Sequence, residues 1–481
     1  MIQSEVFMRS LVSGETLNTN TLSTTIDIKD DVLGAGGYDS AIRVILRQPD
    51  EKLLIAGDFN NYDDTSNYLI RLNEDKTLDT EFNTNVGFNF STEILTIALQ
   101  PDGKVLVGGG FTYTGETLNY LVRLNSDGTP DTEFNTNIGT NFNDNVNVIT
   151  LQPDGKILVG GAFTNYGGVD TNYLVRLNSD GTPDTSFNSN ILDLDIQISG
   201  PVISIAVQYN DNILIATTTN FLFALISDGT YNLDFNTNID GKFNSLVRPI
   251  LIQPDNKILV GGDYIDYNGI IGLTSLIRLN SDGTDDNDFN SNVIGMFTST
   301  GIYSLGLQPN GKIFVGGDFT NYNNINNFVR INPDGTDDVL INDSLKNKTP
   351  AVVRTMLLND DYEGLFGGDF LDFNNQMGQI NYGVALTYYD NPYIYSLNSF
   401  TVLGNSNDMV TVNLNGFNME LPGGTTYNIT PINNITVGRC MAINSSGTYY
   451  DFDPNTLPGN EVSKKIGIYV LGQKTKKNLY N

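Results

Sequence analysis

One dodecapeptide, Gln152–Phe163 (QPDGKILVGGAF), constrains this chain more than any other feature, because the sequence repeats it. Near-copies stand at Gln48–Phe59, Gln100–Phe111, Gln253–Tyr264 and Gln308–Phe319. Weaker copies begin at Gln208 (QYNDNILIATTT) and near Leu358 (LNDDYEGLFGGDF). The spacings from Gln48 to Gln308 are 52, 52, 56, 45 and 55 residues, with the last copy about 50 further on. Seven units at that period mean a chain built by repeating one supersecondary unit.

Each unit reads as strands. In the third, Val146–Gln152 is a strand and Pro153–Gly155 a tight turn, in which Pro fixes φ and Gly accepts a positive one. Lys156–Gly161 follows as a strand rich in β-branched residues. A polar loop runs through Gly167 and Gly168, and Tyr173–Asn178 is a third strand ended by Ser179–Gly181. Thr182–Asn188 supplies a short edge strand, and no helical period is evident. The strands are apolar on both faces, Ile157 and Val159 on one and Leu158 on the other, as expected when each sheet packs between two neighbours.

The expected architecture is therefore all-β: a seven-bladed β-propeller of four-stranded antiparallel blades over residues 35–390, preferred to an open β-solenoid. Residues 1–34 form an N-terminal segment whose strand, Thr24–Asp30, would complete the last blade and close the ring. From about Tyr388 the repeat is lost. Alternating stretches such as MVTVNLNGF and KIGIYVLG, punctuated by turns, predict a small β-sandwich over 391–481.

The pattern QPDGKILVGGAF followed by NYLVRLNSDGTPDTSFN (Asn172–Asn188) resembles the delta-60 repeat, a β-propeller repeat found in phage structural proteins and in bacterial surface or secreted proteins. The resemblance covers about residues 38–390 and implies a folding scaffold. Two units depart from it. In unit four, Gly-Gly becomes Ala216–Thr217 and the strand Arg becomes Ala224. In unit seven, Gly367 and Gly368 persist, but the turn is rewritten and the Arg position falls on Ala385.

Chemistry is bounded by what is missing. The chain of 481 residues has no His and no Trp, and Cys440 is its one cysteine. Imidazole acid–base chemistry, histidine ligation, cysteine metal clusters and intrachain disulfides are thereby removed. A net charge of −29 opposes binding to nucleic acid or anionic membrane, although Lys464, Lys465, Lys474, Lys476 and Lys477 form a basic stretch. No apolar run approaches a membrane span, and the first residues lack the apolar core of a secretory signal.

Three residue series recur. Arg71, Arg123, Arg176, Arg278 and Arg330 share one strand position. Buried there, each needs a partner, for which Asp79, Asp131, Asp184 and Asp286 are suited; the alternative is ligand contact. The glycine pairs Gly108–Gly109, Gly160–Gly161, Gly261–Gly262 and Gly316–Gly317 are structural, since neither Lys-Ser/Thr nor a helix follows to make a phosphate loop. Asp58, Asp263, Asp318 and Asp369, which follow four of the pairs, are candidate ligands for Ca²⁺, the one cofactor considered. Gly110 and Ala162 interrupt that series, and the SDGT turns lack the later ligands of a calcium loop.

The leading functional expectation is a non-enzymatic virion structural protein: a phage tail, fibre or appendage component that uses the propeller for assembly or host-surface attachment. The alternative is a glycan- or protein-binding module of a bacterial surface or secreted protein, served by the loops Asn60–Asn67, Thr112–Asn119, Thr164–Asn172, Ile265–Thr274 and Thr320–Asn327. Those loops carry Tyr, Asn and Asp, and loops on rigid scaffolds are where binding resides. A glycoside hydrolase with paired carboxylates comes third. Expected partners are other virion or surface proteins and cell-surface glycans, with no nucleic acid.

Overall fold

A computed structural model describes residues 38–62, 67–114, 118–139, 142–193, 198–273, 275–297, 301–319, 325–339, 342, 352–358, 363–369 and 383–387, two N-terminal strands and eight C-terminal ones. The chain forms two compact units. One is Asp27–Tyr388; the other combines Met1–Ile26 with Tyr389–Asn481.

Among the described residues, the larger unit holds seven antiparallel sheets of three or four strands, besides two short loop ribbons at residues 165–170 and 266–271. Their first strands are Ile42–Arg47, Ile94–Leu99, Val146–Leu151, Val202–Val207, Val247–Ile252, Ile302–Leu307 and Val353–Leu358. Each packs against the first strands of both neighbouring sheets, and Val353–Leu358 returns to Ile42–Arg47. A ring of strands that meets itself has no exposed inner edge, so the fold is a closed seven-bladed propeller with the first strands around its axis. The last blade gains a fourth strand from the start of the chain, where Lys29–Val32 pairs with Gly383–Thr387.

The other blades differ from the expected four-stranded meander. Their sheets have three strands, and the fourth layer is a single bridge followed, in the first five, by a short helix. In blade three, Pro183 bridges Leu177 and then Thr185–Leu192 is helical, where an edge strand was expected. The cause is local. Asp184 caps the helix by accepting from the Phe187 N–H, and the Asn188 side chain then pairs with Arg176 as a strand would. Its Oδ1 accepts the Arg176 N–H at 2.8 Å while its Nδ2 donates to the Arg176 carbonyl at 3.1 Å. Asn83, Asn135, Asn236 and Asn290 clamp their own third strands likewise. The edge is covered without a strand.

The glycine pairs have two separate causes. The first glycine faces the next blade: a Cβ on Gly160 would lie 2.5 Å from Val202 Cγ1, and one on Gly316 would lie 2.6 Å from Val353 Cγ1. Gly367 stands against Ile42 in the same way, which carries the packing across the closure. The second glycine sits where the register shifts at a bulge, so a Cβ on Gly161 would overlap the Asn145 carbonyl. Replacing Gly160 with Ala is expected to cost about 1–3 kcal/mol through overpacking. A fall in the urea midpoint of Gly160→Ala, against little change for Val169→Ala at an exposed loop position, is the measurement.

The second unit is described by its strands alone. Thr16–Asn18 pairs with Ser399–Leu403, which continues through Thr411–Leu414 to Ile435–Thr436. A hairpin, Phe417–Leu421 with Thr425–Ile429, and a three-stranded sheet around Cys440–Ile443 complete it. The side chain of Cys440 lies outside the described residues, as do those of Lys464, Lys465, Lys474, Lys476 and Lys477.

Candidate functional site

At one end of the propeller lie the QPDGK turns and the helix starts; at the other lie the Gly-Gly termini of the second strands and the long loops. The recurrent arginines belong to the turn end. Arg71 Nε donates to Asp79 Oδ2 at 2.9 Å, its Nη1 to Gln48 Oε1 at 3.3 Å, and the same Nη1 to the Ser126 carbonyl of the next blade at 2.6 Å. Its guanidinium carbon stands 4.0 Å from the centre of the Phe82 ring. Lys52, the lysine of the turn, donates to the same Asp79 oxygen at 2.8 Å.

Arg123, Arg176 and Arg278 repeat this arrangement with Asp131, Asp184 and Asp286, and each bonds a carbonyl of the following blade. Arg330 pairs with Asp338 and lies 1% exposed. The Lys contribution was missed in the sequence. Its signal was present, because Lys52, Lys104, Lys156, Lys257 and Lys312 recur at one turn position.

Burial raises the pKa of Asp79, Asp131, Asp184 and Asp286, but the bonds from Lys, Arg and the helix N–H outweigh it and the net shift is downward. A depressed folded pKa gives stability that is complete above the unfolded value and lost as pH falls through the folded one. Urea stability is therefore expected to hold between pH 7 and 5 and to drop below about pH 4. Asp131→Ala should cost about 3–5 kcal/mol, since it strands Arg123 and Lys104 and removes a cap.

Blade four abandons the network as a unit. Arg, Asp and Lys become Ala224, Asn232 and Asn212, so no lone charge is left buried. Gln208 Nε2 takes over the bond to the next blade, donating to the Ser281 carbonyl at 3.0 Å. Reinstating the arginine alone, as Ala224→Arg, should destabilise, and adding Asn232→Asp should recover the loss; a double-mutant cycle in urea reads the coupling.

The Gly-Gly end holds the candidate site. Seven residues share the second position of the first strands: Arg43, Leu95, Asn147, Ile203, Arg248, Tyr303 and Arg354. The positions after the Gly pair hold Asp58, Gly110, Ala162, Thr218, Asp263, Asp318 and Asp369. Charged groups thus occupy one arc, blades five, six, seven and one, while the same positions of blades two to four carry only uncharged residues, Asn147 and Thr218 among them.

Within the arc, Arg43 grips Asp58 at 2.5 and 2.8 Å and Arg248 grips Asp263 at 2.8 and 2.5 Å. Arg354 holds Asp369 through both carboxylate oxygens. Arg248 and Arg354 approach the Tyr303 ring from the two adjacent blades, at 4.8 and 5.6 Å. Side-chain exposures of 24–37% leave all three pairs open to solvent. The pairing with Asp263 and Asp369 raises the pKa of Arg248 and Arg354, and burial raises that of the Tyr303 phenol, so these two guanidinium groups stay charged and the phenol stays neutral at neutral pH.

This geometry corrects the calcium expectation. Asp58, Asp263 and Asp369 spend both oxygens on guanidinium groups, and they stand on different blades beside cations. Asp318 also has a partner interaction. No group of three or more acidic, His or Cys side chains fit to hold a metal occurs among the described residues.

The loop tyrosines are corrected too. Tyr62, Tyr113, Tyr166 and Tyr267 are buried, and each packs with a Phe or Tyr of its own blade. They anchor the loop bases to the core and are not presented to ligands. In blade five the Tyr267 hydroxyl donates to Asp285 Oδ1 at 2.6 Å.

A family model described as a domain of unknown function (DUF5122) beta-propeller matches residues 48–82, 100–134, 152–187, 253–289 and 308–339. It leaves out blades four and seven, in which the third-strand Arg is replaced by Ala224 and Ala385. No curated protein matches the sequence significantly. Among solved structures, the chain is similar to the WD40 beta propeller domain of Doa1, at 13% identity and TM-score 0.41, over 76% of this chain and 98% of that one. It is similar to the extracellular domain of BT4673 from B. thetaiotaomicron, at 15% identity and TM-score 0.46, over 88% of this chain and 51% of the other. A third is YCF48 from Cyanidioschyzon merolae, at 10% identity and TM-score 0.43, over 75% and 99%. These likenesses concern the fold and carry nothing about ligand. The chain is a repeat protein with a β-propeller fold.

Proposed function

We propose that this chain is a non-enzymatic binding propeller of a bacterial surface or secreted protein, which takes a cell-surface glycan at the Gly-Gly end of its axis. The finer family assignment we propose is the delta-60 repeat. This reading replaces the virion component as the leading one.

The observation that carries it is the unequal ring. Repetition keeps scaffold positions alike, as the Arg, Asp, Lys and Asn networks are alike. The second position of the first strand is free of that duty and differs from blade to blade. Selection for a ligand accounts for such a departure better than selection for stability, because a pair kept for stability would be expected in every blade, and only blades one, five and seven carry it.

The chemistry suits hydroxyl groups. A sugar hydroxyl both donates and accepts, and the arc offers the remaining lone pairs of its paired carboxylate oxygens beside the guanidinium N–H groups that those carboxylates do not take. A strongly anionic ligand would have to displace Asp58, Asp263 or Asp369, and a cation would have to displace the arginines. Leu95, Ile203, Gly110 and Ala162 on the opposite arc suit the apolar face of a pyranose ring.

Titration of fluorescent cell-surface polysaccharides into wild type and Arg248→Gln/Asp263→Asn is the test. The expected result is saturable binding by wild type and at least about tenfold weaker binding by the variant, equivalent to about 1.4 kcal/mol, at an unchanged melting temperature. No binding by wild type, or equal binding by both, rejects the site. Fixed stoichiometry of the chain in purified phage particles would restore the virion reading.

A further inference from the structure

Blade four gives up scaffold residues at one end, and at three further positions there a large apolar or aromatic side chain stands in their place. The turn proline of the other copies (Pro49, Pro101, Pro153, Pro254 and Pro309) becomes Tyr209, which is 70% exposed. Asn73, Asn125, Asn178, Asn280 and Asn332 brace the turn after the third strand by donating to the Thr hydroxyl four residues on. In blade four that residue is Ile226, which cannot brace and is exposed. The first helical residue, a Thr in blades one to three, is Leu233 at 68% exposure.

Register brings the three together. Val207, Ile213 and Leu225 lie side by side across the sheet, and Leu225 bridges Tyr231. Tyr209, Ile226 and Leu233 each follow one of these residues at the turn end of the same blade. The charge around them is one-sided. Between Arg176 and Lys242 the sequence has no Lys or Arg, while Asp211, Asp228, Asp234 and Asp240 are all exposed. Blades one, two, three, five and six place a lysine at this end. Beneath the patch, Gln208 is 1% exposed and its Oε1 has no hydrogen-bond partner.

We propose that the turn end of blade four docks a basic amphipathic segment of a partner protein. The apolar residues of that segment cover Tyr209, Ile226 and Leu233, and its lysines or arginines meet Asp211, Asp228 and Asp234 of the same turns and helix start. The nearest base, Arg176 of blade three, bonds the Ser227 carbonyl and is already paired with Asp184, so the rim selects against an acidic or neutral apolar partner, because like charges around a desolvated patch oppose closure. The loss of the brace, the turn proline and the charged network in one place is a local departure from the scaffold of the kind found at functional surfaces.

The sister repeats supply a variant that keeps the fold: Tyr209→Pro, Ile226→Asn and Leu233→Thr together. Fluorescence anisotropy would follow a labelled helical peptide of leucine and lysine, with a glutamate-for-lysine peptide as control. The wild type is expected to bind the lysine peptide, more weakly as salt rises, and to ignore the glutamate peptide. The triple variant, checked by circular dichroism and melting temperature, should bind at least about tenfold more weakly. Equal binding by the variant would show attraction to a generally acidic surface and overturn the proposal, as would no binding by wild type. A wild-type dimer in sedimentation that the triple variant lacks would overturn it in favour of a second copy as occupant.

Discussion

The structure depends on one buried guanidinium, repeated. Each arginine of the third strand must be neutralised, hydrogen-bonded and packed, since a charge removed from water without partners costs several kcal/mol. The repeat supplies those needs from four places in sequence: the Gln and Lys of the turn, the Asp that caps the helix, the Phe under the guanidinium, and a carbonyl of the next blade. The first three fix the blade upon itself and the fourth fixes it to its neighbour. The same residue thus links local folding to ring assembly. The helix adds a second latch, as when Asn85 Nδ2 donates to the Asp127 carbonyl of the following blade at 2.9 Å.

Because the scaffold is so regular, its exceptions are informative. Blade four loses Arg, Asp and Lys together, which is what electrostatics requires if the loss is to be tolerated. The Gly-Gly end loses equality among its first strands, in a register position that supports no scaffold contact common to all seven blades. One exception leaves an apolar patch with acidic margins, the other an arc of ordered donors and acceptors. A surface module that holds a sugar at one end and a partner at the other is consistent with both.

Much of the fold was legible in the sequence, since the period, the turn chemistry and the two-faced apolar strands all call for stacked sheets. The Arg–Asp pairing was legible as well, because a buried cation at a fixed position demands an anion at another. The short helices were not. Seven residues such as Thr132–Ile138 span two turns, too few for a clear helical period, and the sequence Asp-Thr-Glu-Phe-Asn reads equally as a turn into a strand. Only the Asn135 clamp, a contact between residues twelve apart in sequence, decides it. The candidate site was half legible. Asp58, Asp263 and Asp369 stood out, but Arg43, Arg248 and Arg354 lie fifteen residues upstream in strands where an isolated Arg carries no local signal. Pairing across a sheet turned a suspected cation site into a set of ion pairs.

Backbone hydrogen exchange with and without a bound polysaccharide measures the central claim most directly. The account predicts added protection at the starts of the first strands of blades five, six, seven and one, around Arg248, Tyr303, Arg354 and Arg43. Protection confined to the loop tips or to the turn end, or no change in any strand, would contradict it.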